Sequence, residues 1–133
     1  MSEHQNRYAR GWETVGKING PAAEGQFGAL SQVAPDFARW IVESVYADIL
    51  SRPALPLRDR EIATLAALTA LGNSPNQLKA HLQGALNVGV TPVEIVEVLV
   101  QMAVYAGVPA AIKALGLAAE VFAEAGVSLP PRP

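Results

Sequence analysis

Between Arg58 and Gly126 apolar residues recur at spacings of three and four, and glycine, proline and hydroxyl residues break the recurrence at a few sharp places. Gly72 is placed to close one helix in a left-handed cap, and Ser74 to open the next. Pro75 stands at the first helical position and Gln77 three residues after the cap, the arrangement of a capping box. The device repeats at Gly89, Thr91, Pro92 and Glu94, and more loosely at Gly107 and Pro109. The pattern predicts three consecutive helices of about 15 residues each, joined by short turns.

Upstream, residues 2–17 read as a polar helix with Tyr8, Trp12 and Val15 on one side, ended by Asn19-Gly20-Pro21. Phe27, Leu30 and Val33 suggest a short second helix. Pro35 opens a third over 36–50, with Phe37, Trp40, Ile41, Val45 and Ile49 expected on its buried side. Ser51 to Pro56 form a rigid loop, and Pro109 to Gly126 form the last helix. No alternating run competes with the helical period, so the expected fold is all-α, a single-domain bundle of about six to seven helices. Residues 1–25 hold the N-terminal helix and its connection, 26–126 the helical core, and 127–133 a proline-rich tail.

Two faces matter for chemistry. Over 75–88, Leu78, His81, Leu82 and Ala85 share one side of the helix, while Lys79, Gln83 and Asn87 lie on or near the other. In the preceding helix Glu61 stands one and two turns from Leu65 and Leu68, so its carboxylate points inward. On the helix 92–106, Gln101 and Tyr105 are one turn apart. If these helices are neighbours, His81, Glu61 and Tyr105 converge in an apolar pocket. The helix 92–106 is also apolar nearly all round beyond Glu94 and Glu97, which calls for a second subunit to cover part of it.

Composition narrows the partners. The 133 residues make one domain by length, and half are hydrophobic but only 6% aromatic, which suits closely packed helices. A net charge of −2 lacks the basic face that nucleic-acid binding needs. Without cysteine there is no disulfide and no thiolate nucleophile. The polar start and the interruption of the longest apolar run, Met102 to Ile112, by Gly107 and Pro109 point to a cytoplasmic protein with no membrane partner.

Each candidate residue has a plainer role beside the chemical one. His81 is either a general acid/base or a neutral histidine at the core edge. Metal binding is disfavoured, since the only other histidine is His4 and no ligand-spaced motif accompanies it. A carboxylate on an apolar face needs a partner, and for Glu61 the structural one is Arg58 or Arg60. Those two arginines lie in the first turn of a helix, where the macrodipole disfavours cations, so they hold either an anionic ligand or an ion pair. Arg52, in the proline loop, can join the same rim. Tyr46, Tyr105 and Trp40 read as core or pocket walls, and Lys79 and Lys113 as solvated charges.

Three segments carry a wider resemblance: Arg-Asp-Arg-Glu-Ile-Ala-Thr-Leu from Arg58, Gln-Leu-Lys-Ala-His-Leu-Gln-Gly-Ala-Leu-Asn-Val-Gly from Gln77, and Glu-Val-Leu-Val-Gln-Met-Ala-Val-Tyr-Ala-Gly-Val-Pro from Glu97. Together with Arg7–Gly11 and Ser51–Leu55 they resemble the carboxymuconolactone decarboxylase family over roughly Arg7 to Glu124. The resemblance implies an alkylhydroperoxidase-like helical fold assembling into rings, usually homotrimers or homohexamers. It also implies cofactor-free decarboxylation of 4-carboxymuconolactone, a small anionic substrate of protocatechuate breakdown. In that reading His81 and Glu61 are the acid/base pair, Tyr105 or Gln101 donate hydrogen bonds, Arg52 or Arg58 hold the remaining carboxylate, and Tyr46 lines the site.

Thiol-peroxidase relatives carry Cys-x-x-Cys where this chain has Ser74 and Gln77, which removes that chemistry. Decarboxylases of the family tend to read His-Ala-Trp-Gly-Asp where this chain has Ser44-Val45-Tyr46-Ala47-Asp48, a departure that bears on substrate rather than fold. Two alternatives stand beside decarboxylation of that lactone: action on a different small lactone or enone, and a non-catalytic oligomer in which Glu61 and His81 are a structural pair.

Overall fold

The computed structural model describes residues 2–129; positions 130–133, the end of the expected proline-rich tail, lie outside the described residues. All regular structure among the described residues is helical, as the periodicity predicts, and no helix there is long and apolar enough to cross a membrane. The chain groups into two compact units, Met1–Leu57 and Arg58–Pro133.

In the first unit α1 spans Glu3–Asn19 and opens on a Ser2–Gln5 capping box. A single 3₁₀ turn, Gly20–Ala22, leads to α2 (Ala23–Val33). Next comes α3 (Pro35–Trp40), which runs on without interruption as a π-helix over Ile41–Leu50. The expected inward face of 36–50 is corrected here. Phe37, Trp40 and Ile49 are exposed, and Ala38, Val42, Glu43, Tyr46 and Ala47 are buried instead. Two forces turn the helix. Gly11 lets α1 approach the Val42 backbone so closely that no Cβ would fit. Arg7 of α1 then draws in acidic groups one to two turns apart: its guanidinium donates to Asp48 at 2.5 Å, to Ser44 at 3.3 Å and to Glu43 at 3.4 Å. Arg39 binds the other Glu43 oxygen at 2.6 Å, so this buried carboxylate has two cations. The hydrogen bond from Arg7 holds the Asp48 carboxyl below its usual range. Rings of Trp12, Phe27 and Tyr46 meet edge to face at 5.3 and 6.0 Å and tie α1, α2 and the π-helix together.

The second unit holds α4 (Leu57–Leu71), α5 (Pro75–Asn87), α6 (Pro92–Ala106) and α7 (Val108–Glu124). Gly72, Gly89 and Gly107, the three predicted stops, have φ of +69°, +94° and +98°. The Thr91–Glu94 capping box forms, with Thr91 N–H donating to Glu94 Oε1 at 3.0 Å and Glu94 N–H to Thr91 Oγ1 at 3.2 Å. The one expected at Ser74 does not. Its hydroxyl turns to the Asn73 side-chain oxygen at 3.0 Å, leaving Pro75 alone to start α5. Leu65, Leu82, Ile95 and Leu99 are fully buried at the centre of one apolar cluster fed by all four helices, each contributing about 2 kcal/mol.

Both lysines expected to be solvated are engaged. Lys79 pairs with Glu124 at 2.9 Å, and Lys113 donates to the Gly72 carbonyl at 3.0 Å, satisfying an open acceptor at the α4 terminus. Helix α6 buries Ile95, Val96, Leu99 and Met102 but leaves Val93, Val100 and Val104 exposed, and Val108 and Ile112 of α7 are uncovered too.

Two consequences are measurable. Gly11→Ala forces a side chain into a backbone carbonyl and should cost about 1–3 kcal/mol or more in chemical denaturation; an unchanged midpoint would refute the close crossing. Glu94 is held down to about 2 from 4.5, first by its hydrogen bond from Arg58 and then by its bonds at Thr91. A depressed carboxyl adds stability above pH 4.5 that disappears as pH falls through about 2. The melting temperature of Glu94→Gln should therefore lie below that of the wild type at neutral pH and converge with it near pH 2.

Candidate active site

Helix α4 places Glu61 one turn before Leu65, on the stripe that faces the apolar cluster, and its side chain is 0% exposed. Helix α5 places His81 between Leu78 and Leu82 at the edge of the same cluster, with 19% of its side chain exposed. The two meet: His81 Nδ1 lies 2.9 Å from Glu61 Oε2. The i, i+3, i+4 spacing on each helix is what aims the two groups at each other. A carboxylate behind one ring nitrogen sets the tautomer and orientation of an imidazole, and leaves Nε2 as the nitrogen able to exchange a proton with a bound molecule.

Arg58 goes elsewhere. It reaches Glu94, of the α6 capping box, and Asp59 at 3.5 Å, and is not the partner of Glu61. These ion pairs raise the Arg58 pKa. Tyr105 does not join the enclosed pair: it is 77% exposed, and Gln101 is exposed as well. The convergence expected of Tyr105 fails: α6 turns Ile95, Val96, Leu99 and Met102 inward, and Tyr105, in its last turn, is left exposed.

Tyr46 and Arg52 belong to the first unit. Tyr46 is buried, with its hydroxyl donating to Asn19 Oδ1 at 3.2 Å and its ring against Phe27. Arg52 is exposed in the proline loop, its backbone N–H bonded to the Ile49 carbonyl at 3.1 Å. The Arg7–Glu43–Asp48 network escaped the sequence reading. Its one sequence signal is the Arg39–Glu43 pair at i, i+4.

Comparison with known proteins shows the family. The model of the carboxymuconolactone decarboxylase family matches residues 35–120, a span that contains both Glu61 and His81. The chain is 33% identical over 129 residues to a 4-carboxymuconolactone decarboxylase of Acinetobacter baylyi, covering 96% of this chain and 95% of that protein. It is 32% identical over 97 residues to an uncharacterized 15.0 kDa protein of Paracoccus denitrificans, 72% of each. It is also 36% identical over 76 residues to the nitrosuccinic acid decarboxylase npaB of Metarhizium robertsii, 56% of this chain and 52% of that protein. With a family match across most of its helices and a relative aligned nearly end to end, the chain belongs to the carboxymuconolactone decarboxylase family.

Proposed function

We infer that this protein is a carboxy-lyase acting on 4-carboxymuconolactone or a closely related small unsaturated lactone acid, with His81 as the proton donor and Glu61 behind it. The observation that carries the reading is the 2.9 Å contact between a fully buried carboxylate and Nδ1 of a partly accessible imidazole. Loss of CO₂ leaves the electron pair of the broken C–C bond on the substrate, where the unsaturated lactone delocalises it onto its carbonyl oxygen as a dienolate. Proton transfer from His81 Nε2 to carbon then completes the product. The relative named for nitrosuccinic acid supports a second reading within the same reaction class, because a nitro group next to the departing carboxylate accepts the electron pair in the same way. Activity on nitrosuccinate with none on the lactone would select it.

The uncovered apolar residues of α6 and α7 support a ring-like homo-oligomer, trimer or hexamer, since a chain in water gains about 25 cal/mol for each Å² of such surface it buries. Tyr105 and Gln101, on the outer side of α6, would then face a second copy.

His81→Ala should lower turnover by about 10²–10⁴-fold while the protein, destabilised by the unpaired Glu61, still melts cooperatively. A loss under about tenfold removes His81 from the chemistry, and a collapsed melt instead makes the pair structural. Light scattering should give a mass near three or six times 14.0 kDa for the wild type, and Val104→Glu should shift it downward. A wild-type monomer would overturn the assembly.

A further inference from the structure

Glu61 presents an anomaly. Oε2 has His81, but Oε1 is buried and has no hydrogen-bond partner among the described residues. The α4 hydroxyls are turned to their own helix, Thr64 to the Arg60 carbonyl at 2.9 Å and Thr69 to the Leu65 carbonyl at 2.7 Å. Arg58 is taken by Glu94 and Asp59.

The pair can rest in three ways: as carboxylate with imidazolium, as carboxylate with a neutral ring protonated on Nδ1, or as carboxylic acid with a neutral ring protonated on Nε2. An ionised carboxylate spreads its charge over both oxygens and repays its desolvation only when the lone pairs of both are met. Here one of them meets nothing, and the same face of α4 carries Leu65 into an apolar cluster. The neutral acid asks for less: its O–H is donated to Nδ1, and only an uncharged carbonyl oxygen goes without a donor.

We propose that the resting pair is neutral, with the shared proton on Glu61 Oε2 and the ring proton on His81 Nε2, so that Glu61 is a proton store rather than a fixed counter-charge. The storing role rests on the decarboxylase reading; the proton's resting position does not. In the transfer step Nε2–H goes to the substrate carbon while Oε2–H crosses to Nδ1. The imidazole stays neutral throughout, and the negative charge released from the dienolate ends on Glu61. Solvent protonates Nε2 through the exposed edge of the ring, and the Nδ1 proton returns to Oε2.

The test needs no substrate for its first arm. The chain has two histidines, so His4→Gln leaves one ring to observe by ¹⁵N NMR. The expected spectrum at neutral pH is a neutral ring protonated on Nε2, together with an infrared band of a protonated carboxylic acid that Glu61→Gln abolishes. An imidazolium spectrum, or a neutral ring protonated on Nδ1, without that band overturns the proposal, and so does a water donating to Oε1 in a high-resolution crystal structure if the acid band is missing.

The second arm is kinetic. The side-chain amide that Glu61→Gln introduces still donates to Nδ1 and keeps the tautomer but holds no transferable proton. Turnover should fall about 10²-fold or more with the Nε2-protonated spectrum unchanged. Turnover within about threefold of wild type would make Glu61 an orienting group only. If the spectra are as expected but neither acid is decarboxylated by the wild type, the functional reading fails and the neutral pair stands. If the wild type is active and the ring is charged, the reading stands and the proposal fails.

Discussion

The second unit depends on hiding a carboxylic side chain inside a core that is otherwise almost wholly apolar. Burying Glu61 beside Leu65 carries a desolvation cost that only a close partner offsets, and His81 is the partner that α5 supplies. The requirement runs outward from there. Helix α5 must present position 81 to α4, which fixes its rotation, and the same rotation sends Leu78, Leu82 and Ala85 into the core. The glycine turns at 72 and 89 set how far α5 extends and so where along α4 the imidazole arrives. A polar pair that dictates the register of apolar helices gives a fold little freedom to drift.

The first unit solves a related problem differently. Glu43 is nearly as buried as Glu61, yet it answers to two guanidinium groups and not to an imidazole. Arginine holds its charge at any pH of interest, so that network is permanent and serves architecture. Histidine has two ring nitrogens, one able to take a proton as the other gives one up, which is why the pair in the second unit is the one suited to moving a proton. Arg7 and Gly11 have visible structural work: one anchors the π-helix and the other lets it come close.

Much of this was legible in the residues. The helix stops were, because a positive φ is nearly reserved for glycine and the sequence offered it where the apolar period broke. The meeting of Glu61 and His81 was legible from two helical stripes and a short turn. What was hidden shares one cause: it depends on contacts remote in sequence. The π-helical register of 41–50 leaves no mark in hydrophobic spacing, so the buried face of that helix was read as Phe37, Trp40, Ile41, Val45 and Ile49 when Val42, Tyr46 and Ala47 are buried and only Ile41 and Val45 of those five are half-buried. Ser74 had the right spacing for a box but a nearer acceptor in Asn73. Tyr105 lay near the right turn of α6 and on the wrong side of it.

The bond from Lys113 to the Gly72 carbonyl ties the end of one helix to the middle of another that lies 41 positions later in the chain. A helix terminus ordinarily frays on its own account, opening and closing independently of the rest. Here the final turn of α4 carries a tie to α7, so fraying costs that bond as well, and amide protons at this end should exchange more slowly than at an untied one.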